Sequence, residues 1–141
     1  MPSTNPYTLT KQALLGLFYI QRYRFLTTSQ FARITAYKLS SASDQLRMLE
    51  GRGFLGYFGN TGLRGHGKTP KAYYLTRKGW ETLIRESDIP QDLIGSFKEV
   101  HVESRWSPQM YHRLATVDLM LSAELAVRAR PHLSMVRTFL E

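Results

Sequence analysis

Residues 40–58 read SSASDQLRMLEGRGFLGYF, a polar, serine-rich segment that gives way to an apolar one. The spacing of Leu46 and Leu49 predicts a helix with one inward-facing side. Ser41 and Asp44 have the spacing of an N-cap residue and its partner three positions on, so we expect this helix to begin in the serine cluster. The small polar side chains and the single arginine then lie mainly on its outer side.

Glycine marks the end of this helix and the hairpin beyond it. Gly51 and Gly53 predict the helix end, because glycine readily adopts the left-handed conformation found there. The apolar run 54–58 and the aromatic run 71–75 (KAYYL) predict two strands, and seven of the ten glycines lie between residues 51 and 67. Two strands joined by a glycine-rich basic loop form a hairpin, and a hairpin directly after a third helix is typical of a wing.

Two helices are predicted before this segment. The first spans residues 9–23, with inward side chains at Leu14, Leu17, Phe18 and Ile20. Thr27 and Gln30 have the spacing of a capping box and begin a second helix that runs to about Thr35. Its buried residues are expected to be Phe31, Ala32 and Ile34. Three short helices followed by a wing indicate a winged helix-turn-helix.

Further elements are predicted after the wing. Thr76 is placed to cap a helix in which Trp80, Leu83 and Ile84 point to one side. Residues 110–129 predict a long helix with an apolar stripe formed by Leu114, Val117, Leu121, Leu125 and Ala126. Pro131 would end that helix, and residues 133–140 are a candidate strand.

The predicted fold is therefore mainly α with a small β-hairpin wing (α+β). We expect a winged helix-turn-helix domain at 8–87, a linker at 88–109, and a long C-terminal helix with a strand at 110–141. The third part is either a dimerisation element or the truncated start of a second domain.

Positive charge is concentrated in the first 86 residues, which hold 13 Lys and Arg against 4 Asp and Glu, whereas residues 87–141 hold 6 against 7. The net charge of +8 over 141 residues thus belongs to one half of the chain. A positive field confined to one half indicates a polyanion partner such as double-stranded DNA. The alternative is an ordinary basic protein with a solvated charged face.

Composition excludes several other classes. The chain has no cysteine, which excludes disulfides, thiolate zinc sites and a cysteine nucleophile. It has no run of 18 apolar residues and a polar N-terminus, so we expect no membrane contact and a cytoplasmic protein. The four histidines do not pair at helical spacing, and we expect no metal, no other cofactor and no enzymatic activity from this chain.

The wing loop contains a phosphate-loop pattern. Residues 62–69 (GLRGHGKT) match G-x-x-x-x-G-K-[ST] letter for letter. Such a loop needs a helix directly after it, whereas Pro70 and a predicted strand follow. Asp118, which resembles a magnesium-binding carboxylate, falls inside a helical pattern. We therefore expect no nucleotide and interpret the loop as a wing that approaches the DNA backbone.

The candidate DNA-binding side chains come from the second helix, the third helix and the wing. Arg47 can pair with guanine edges and Gln45 with adenine edges in the major groove, while basic wing side chains neutralise phosphates. The alternative is an exposed helix face with ordinary polar residues. The full set is Thr28, Ser29, Tyr37, Lys38, Ser41, Ser43, Gln45, Arg47, Arg64, His66, Lys68 and Lys71.

The aromatic residues divide into two groups. Core spacing favours packing in the interior over stacking on unpaired bases for Phe18, Tyr23, Phe25, Phe54, Tyr57 and Tyr73. Tyr37 and Tyr74 are the two that can face DNA.

Four segments, in order along the chain, resemble the plasmid replication-relaxation family. They are Tyr23-Arg24-Phe25-Leu26-Thr27-Thr28-x-Gln30, Gln45-Leu46-Arg47-x-Leu49-x-x-x-Gly53, Tyr73-Tyr74-Leu75-Thr76-x-x-Gly79 and His112-x-Leu114-Ala115-x-Val117-Asp118. The first three are also similar to winged helix-turn-helix regulators in general. The fourth favours this family over other winged helices.

The resemblance implies sequence-specific DNA binding in the replication, relaxation, mobilisation or transcriptional control of a plasmid or mobile element. It also implies a second domain, similar in some members to restriction-endonuclease-like nucleases, of which only the first helix and strand would precede residue 141. We expect a homodimer that pairs through the C-terminal helix and binds two half-sites roughly 34 Å apart. The alternatives are a DNA-docking fragment of a nuclease or relaxase, and a protein-interaction adaptor.

Overall fold

The computed structural model describes residues 9–59, 62–63, 67–68, 71–100 and 108–129, and it describes the side chains of all of these except 62–63, 67–68 and 108–111. The helices in these ranges are α1 (Lys11–Tyr23), α2 (Thr28–Thr35), α3 (Leu39–Gly51), α4 (Arg77–Glu86), α5 (Gln91–Ile94) and α6 (Pro108–Ala129). The strands are β1 (Leu26–Thr27), β2 (Leu55–Phe58), β3 (Gly62–Leu63), β4 (Gly67–Lys68) and β5 (Ala72–Leu75). The prediction of a mainly α fold with a small β-hairpin wing is confirmed. The candidate strand at 133–140 lies outside the described residues.

Strand β5 lies at the centre of a three-stranded antiparallel sheet in the order β1-β5-β2. Tyr73 is opposite Leu26 on one side and Tyr57 on the other. Strands β3 and β4 pair as a second antiparallel ladder in the loop between β2 and β5. The described parts of the phosphate-loop pattern therefore form a hairpin followed by a strand, whereas a phosphate loop leads into a helix. This arrangement agrees with the predicted wing.

The beginning of α2 has the predicted capping box. The Thr27 hydroxyl accepts a hydrogen bond from the Gln30 backbone N–H at 3.2 Å, and the Gln30 Oε1 accepts one from the Thr27 backbone N–H at 3.0 Å. The two bonds satisfy amide groups that have no partner within the helix. Helix α2 ends at Thr35, as predicted, and buries Phe31, Ala32 and Ile34.

The predicted beginning of α3 is wrong. The helix begins at Leu39 with Lys38 as N-cap, and no side chain caps it. Ser41, expected to be the cap, lies inside the first turn. The left-handed conformation of Ala36, with φ of 61°, ends α2 and leaves only a short turn before α3. Burial of Ala42 together with the predicted Leu46 and Leu49 then fixes the helix position, which outweighs a surface hydroxyl cap.

Thr76 and Gly79 join α4 to the end of α3. The Thr76 hydroxyl accepts from the Gly79 backbone N–H at 3.1 Å and donates to the Gly53 carbonyl at 2.7 Å. The Thr76 backbone N–H donates to the Phe54 carbonyl at 3.1 Å. A Cβ atom at position 79 would lie 2.1 Å from the Phe54 carbonyl oxygen. The close approach of the two backbones thus requires glycine at this position.

Helix α6 packs on α2 and β1 of the same chain. Its Leu114, Val117 and Leu121 are buried, which confirms the central part of the predicted stripe, whereas Ala126 is exposed. The Gln30 Nε2 group donates to the Leu114 carbonyl and to the Asp118 carboxylate, each at 3.0 Å. One buried amide thus caps α2 and anchors α6. Asp118 has a structural role in this arrangement.

Polar contacts fasten the second half of α6. The Glu124 carboxylate accepts from the Tyr23 hydroxyl and lies 3.2 Å from an Arg22 nitrogen. Burial, and secondly this carboxylate, hold the pKa of Tyr23 above its usual range. One turn later, Arg128 donates to the Ile34 carbonyl at 3.1 Å. Helix α6 is therefore bound to α1 and α2 by both apolar and polar contacts.

Residues 88–100 lie against α1 and α4. The Gln21 Nε2 group donates to the carbonyls of Ile94 and Ser96, both at 3.1 Å, and the Trp80 indole N–H donates to the Gly95 carbonyl at 3.0 Å. Ile94 is buried. The proposed division into domain, linker and C-terminal element stays a prediction.

Substitution of Gly79 should destabilise the fold. We expect Gly79→Ala to lower the free energy of unfolding by about 1–3 kcal/mol, because the new Cβ overlaps the Phe54 carbonyl and the α3–α4 junction must open. Urea denaturation followed by circular dichroism measures the change. Gly51→Ala is the matched control: its Cβ meets nothing within 4 Å, so its stability should change by less than about 0.5 kcal/mol. Equal effects of the two substitutions would contradict the close-approach explanation.

Removal of the Gln30 amide tests the link between α2 and α6. Gln30→Ala should cost about 3 kcal/mol, since a capping interaction is lost and buried polar groups of Thr27 and Leu114 lose a partner. The same urea experiment applies, with the exposed Gln91→Ala as control. A loss of less than about 0.5 kcal/mol would mean that the amide does not hold the two helices together.

Candidate nucleic-acid interface

Helix α3 presents only part of its predicted contact set to solvent. Ser41 and Arg47 are exposed, whereas Ser43 and Gln45 are half-buried at the two edges of the outer face. Lys38, before the helix, and Ser29, in α2, are also exposed. The assignment of these side chains to DNA stays a prediction.

One side of α3 meets the root of the wing at a group of polar and aromatic side chains. We call this group the wing-root cluster. Its members are Thr28, Arg47, Glu50, Tyr57, Lys71 and Tyr73. Three of them, Thr28, Arg47 and Lys71, were predicted to contact DNA, and the structure brings them together from three different elements. The contacts and electrostatic effects that relate these residues to one another involve Tyr57 and Tyr73.

Lys71 connects the wing to α3. Its ammonium lies 4.1 Å from the centroid of the Tyr57 ring and 3.8 Å from the Glu50 Oε1. The Tyr57 and Tyr73 ring centroids are 5.9 Å apart. The Glu50 Oε1 is buried and accepts no hydrogen bond from the described residues, so the Lys71 ammonium is its nearby compensating charge. Glu50 therefore offsets part of the positive charge at the root of the wing.

Several members of the cluster contribute to the electrostatic environment of Tyr73. Burial raises the pKa of the Tyr73 hydroxyl, and the nearby Glu50 and Tyr57 raise it further. The positive charge of Arg47 and a hydrogen bond with Thr28 act in the opposite direction. At neutral pH the Tyr73 hydroxyl is therefore protonated and able to donate. The charge of Arg47, on α3, thus acts on a residue of the central strand.

The prediction that Tyr57 belongs to the core is wrong, because its side chain is 39% exposed. Its ring instead packs at a tilt against Tyr73 and under the Lys71 ammonium, at the edge of the sheet. The sequence analysis also missed Glu50 and the outer end of Tyr73 as parts of the site. Pairing of β2 with β5 was the available signal, since it places Tyr57 opposite Tyr73.

The two aromatic residues predicted to be able to face DNA lie elsewhere. Tyr37 is half-buried, with its ring 6.3 Å from the Phe31 ring and its hydroxyl 3.4 Å from the Gln12 Oε1, to which it donates. Tyr74 packs against Phe25 and Phe58. Successive strand side chains point to opposite faces, so Tyr74 lies on the sheet face that points away from the wing-root cluster.

Three predicted contact residues belong to the wing tip. Arg64 and His66 lie outside the described residues. For Lys68 the structure describes only the backbone, which pairs with Gly62 in the β3–β4 ladder.

Two searches of the described part of the chain bear on other functions. It contains no group of three or more His, Cys, Asp or Glu side chains placed to hold a metal ion. None of its helices is both long enough and apolar enough to cross a membrane.

Comparison with known proteins supports the fold. No curated protein matches the chain. Among solved structures, a point mutant of MepR from a multidrug-resistant S. aureus clinical isolate is similar, with a TM-score of 0.50 and 18% sequence identity. The likeness covers 84% of this chain and 82% of that one. At this identity it shows a shared fold.

The family is shown by a different comparison. The replication-relaxation family model matches residues 17–139, a range that includes all four segments quoted from the sequence. The match extends from α1 through the wing and α6. This protein therefore belongs to the replication-relaxation family.

Proposed function

We propose that this protein binds double-stranded DNA sequence-specifically, with α3 in the major groove and the wing on the adjacent backbone. The proposed setting is the replication, relaxation, mobilisation or transcriptional control of a plasmid or mobile element, in the bacterial cytoplasm. Family membership and the winged-helix fold support this function. The observation that carries it is the wing-root cluster, where Lys71 lies on the Tyr57 ring and the charge of Arg47, on the exposed face of α3, acts on the neighbouring Tyr73.

The cluster assigns different roles to its charged residues. Arg47 is exposed and forms no ion pair within the described chain, so its guanidinium is free to contact a guanine edge or a phosphate. Lys71 is held over Tyr57 by Glu50, in a position to meet a phosphate that flanks the groove. Glu50 then limits affinity for any DNA backbone, because its negative charge repels phosphate.

A salt titration with variants tests the interface. Fluorescence anisotropy with a mixed-sequence 30-base-pair duplex should give a log–log slope near −5 if about six basic side chains meet phosphates. Lys71→Ala should make this slope shallower by about 1, and Arg47→Ala should weaken binding. Arg85→Ala, an exposed arginine on α4 that pairs with Glu86, is the control and should behave as wild type. Absence of binding at low salt, or equal losses in all three variants, would refute the proposed interface.

Glu50→Gln provides a change in the opposite direction. Loss of this negative charge should strengthen binding of the mixed-sequence duplex several-fold at low salt and steepen the salt slope, because Lys71 no longer has a competing carboxylate. Circular dichroism controls for folding. Weaker binding by a folded Glu50→Gln variant would show that the carboxylate positions Lys71 instead of screening it.

We also propose a homodimer formed through α6. The predicted stripe on this helix is largely buried within the chain, so the proposed contact uses the outer face. Leu119 on that face is 72% exposed, and Ala115 and Ala123, four residues away on either side, are exposed too. Two such faces can pack closely around the leucines.

Light scattering coupled to size exclusion tests the dimer. We expect the mass of a dimer for the wild type and of a monomer for Leu119→Glu, because a charge cannot be buried in the contact. Leu93→Glu changes a leucine of similar exposure, 65%, on α5, and should leave the dimer intact. A monomeric wild type, or a dimeric Leu119→Glu variant, would contradict the proposed contact.

We propose that the chain acts by binding alone, without cofactor or catalysis. Supercoiled plasmid incubated with the protein and magnesium should remain uncut. Nicking that requires magnesium would favour the nuclease or relaxase alternative, and a dimer that binds no DNA at low salt would favour the adaptor.

A further inference from the structure

A second, apolar cluster lies on the face of the sheet that points away from the wing-root cluster, and two positively charged side chains border it. Its buried residues are Phe25, Phe58, Ala72 and Leu114, and Tyr74 and Val100 pack against them. Two arginines from distant parts of the chain border this cluster. Arg24 follows α1, and Arg113 lies in the first half of α6.

Both guanidinium groups lie on the same aromatic ring. The central carbons of Arg24 and Arg113 are 5.5 Å and 5.2 Å from the Phe25 ring centroid. Such contacts stabilise each cation individually, but they do not compensate for repulsion between the two. Burial, and secondly the charge of Arg24, lower the pKa of Arg113. No carboxylate of the described residues forms an ion pair with either side chain.

Several N–H donors of the two arginines lack an acceptor among the described residues. The Nε of Arg24 and the Nε and Nη2 of Arg113 are buried and have no hydrogen-bond partner within the part of the chain that the structure describes. Arginine is otherwise buried with acceptors that match its planar set of donors. Arg24 also has a φ of 69°, a left-handed conformation that is uncommon for a residue with a side chain. Among the described residues, therefore, no carboxylate serves as a counter-ion for the two cations that lie on this ring.

We propose that Arg24 and Arg113 form a binding site for a phosphate group on the sheet face opposite α3. A phosphate dianion matches the summed charge of two guanidiniums, and its oxygens match the fork of donors that each arginine presents. The phosphate belongs either to a free phosphate or small phosphomonoester, which is the dianion that matches both charges, or to the DNA backbone, whose phosphodiester is a monoanion that offers two free oxygens to the same donors. The site is independent of the proposed α3 interface, because it lies on the other sheet face.

Inorganic phosphate is the probe for the first source. The linewidth of the phosphorus NMR signal and the melting temperature should both rise with low-millimolar phosphate in the wild type, compared with chloride at equal ionic strength. Arg24→Gln and Arg113→Gln should each weaken phosphate binding by about tenfold, the loss expected for a charge-assisted hydrogen bond. Arg85→Gln is the matched control and should bind as wild type. Because the two substitutions lie far apart in the sequence, a folding defect in one variant leaves the other as an independent test.

Duplex DNA is the probe for the second source. If the DNA backbone supplies the phosphate, both variants make the salt slope of the 30-base-pair duplex shallower by about 1, with little effect of free phosphate. If free phosphate is the ligand, both variants bind the duplex as the wild type does, and added phosphate no longer broadens the phosphorus NMR signal. The proposal is overturned if folded Arg24→Gln and Arg113→Gln variants match the wild type in both assays. These outcomes differ from failure of the α3 interface, which Arg47 and Lys71 report separately.

Discussion

The arrangement of the whole fold depends on the side-chain amide of Gln30, which is 4% exposed. Its oxygen closes the N-terminus of α2, and its nitrogen reaches two groups on α6. In an apolar interior, a primary amide without these partners would be costly, because both its donor and its acceptor groups would be desolvated. The two helices therefore stabilise each other: α6 supplies the acceptors that make the buried cap of α2 favourable. Those acceptors, the carbonyl of Leu114 and the carboxylate of Asp118, both lie in the segment 112–118.

The central strand β5 divides the molecule into two chemically different sides. Tyr73 faces α3 and the wing-root cluster, while Tyr74 faces α6 and the pair of arginines. The two halves of the chain also differ in charge, and the fold uses this difference. Asp118 and Glu124, from the less basic half, neutralise Arg33 and Arg22. The excess of positive charge counted in the first 86 residues is thereby reduced on the α6 side and left available at α3, where Lys38 and Arg47 form no ion pairs within the described chain.

Local signals in the sequence were sufficient for most of the secondary structure. Thr27 and Thr76 form their capping hydrogen bonds with residues three positions later, so the signal is local. An apolar strand can likewise be recognised from its own side chains. The start of α3 could not be predicted in this way, because the burial of Ala42 against other elements outweighed the serine cap. The roles of Glu50, Asp118, Arg24 and Arg113 depend on partners 20 to 90 residues away. Such long-range pairs leave no periodic pattern, so the candidate site could be predicted only as a list of basic and polar residues.

Two neighbouring residues at the start of α2 connect to opposite sides of the molecule. Thr28 acts on the pKa of Tyr73 in the wing-root cluster, and the Gln30 side chain, two residues later, donates to Leu114 and Asp118 of α6. A shift of α6 along α2, whether imposed by a partner at Leu119 or by an anion at Arg113, would break the bonds from Gln30 unless α2 moved with it. Movement of α2 would carry Thr28, and with it the donor beside Tyr73. A displacement of α6 that moved α2 would therefore also change the geometry of the wing root.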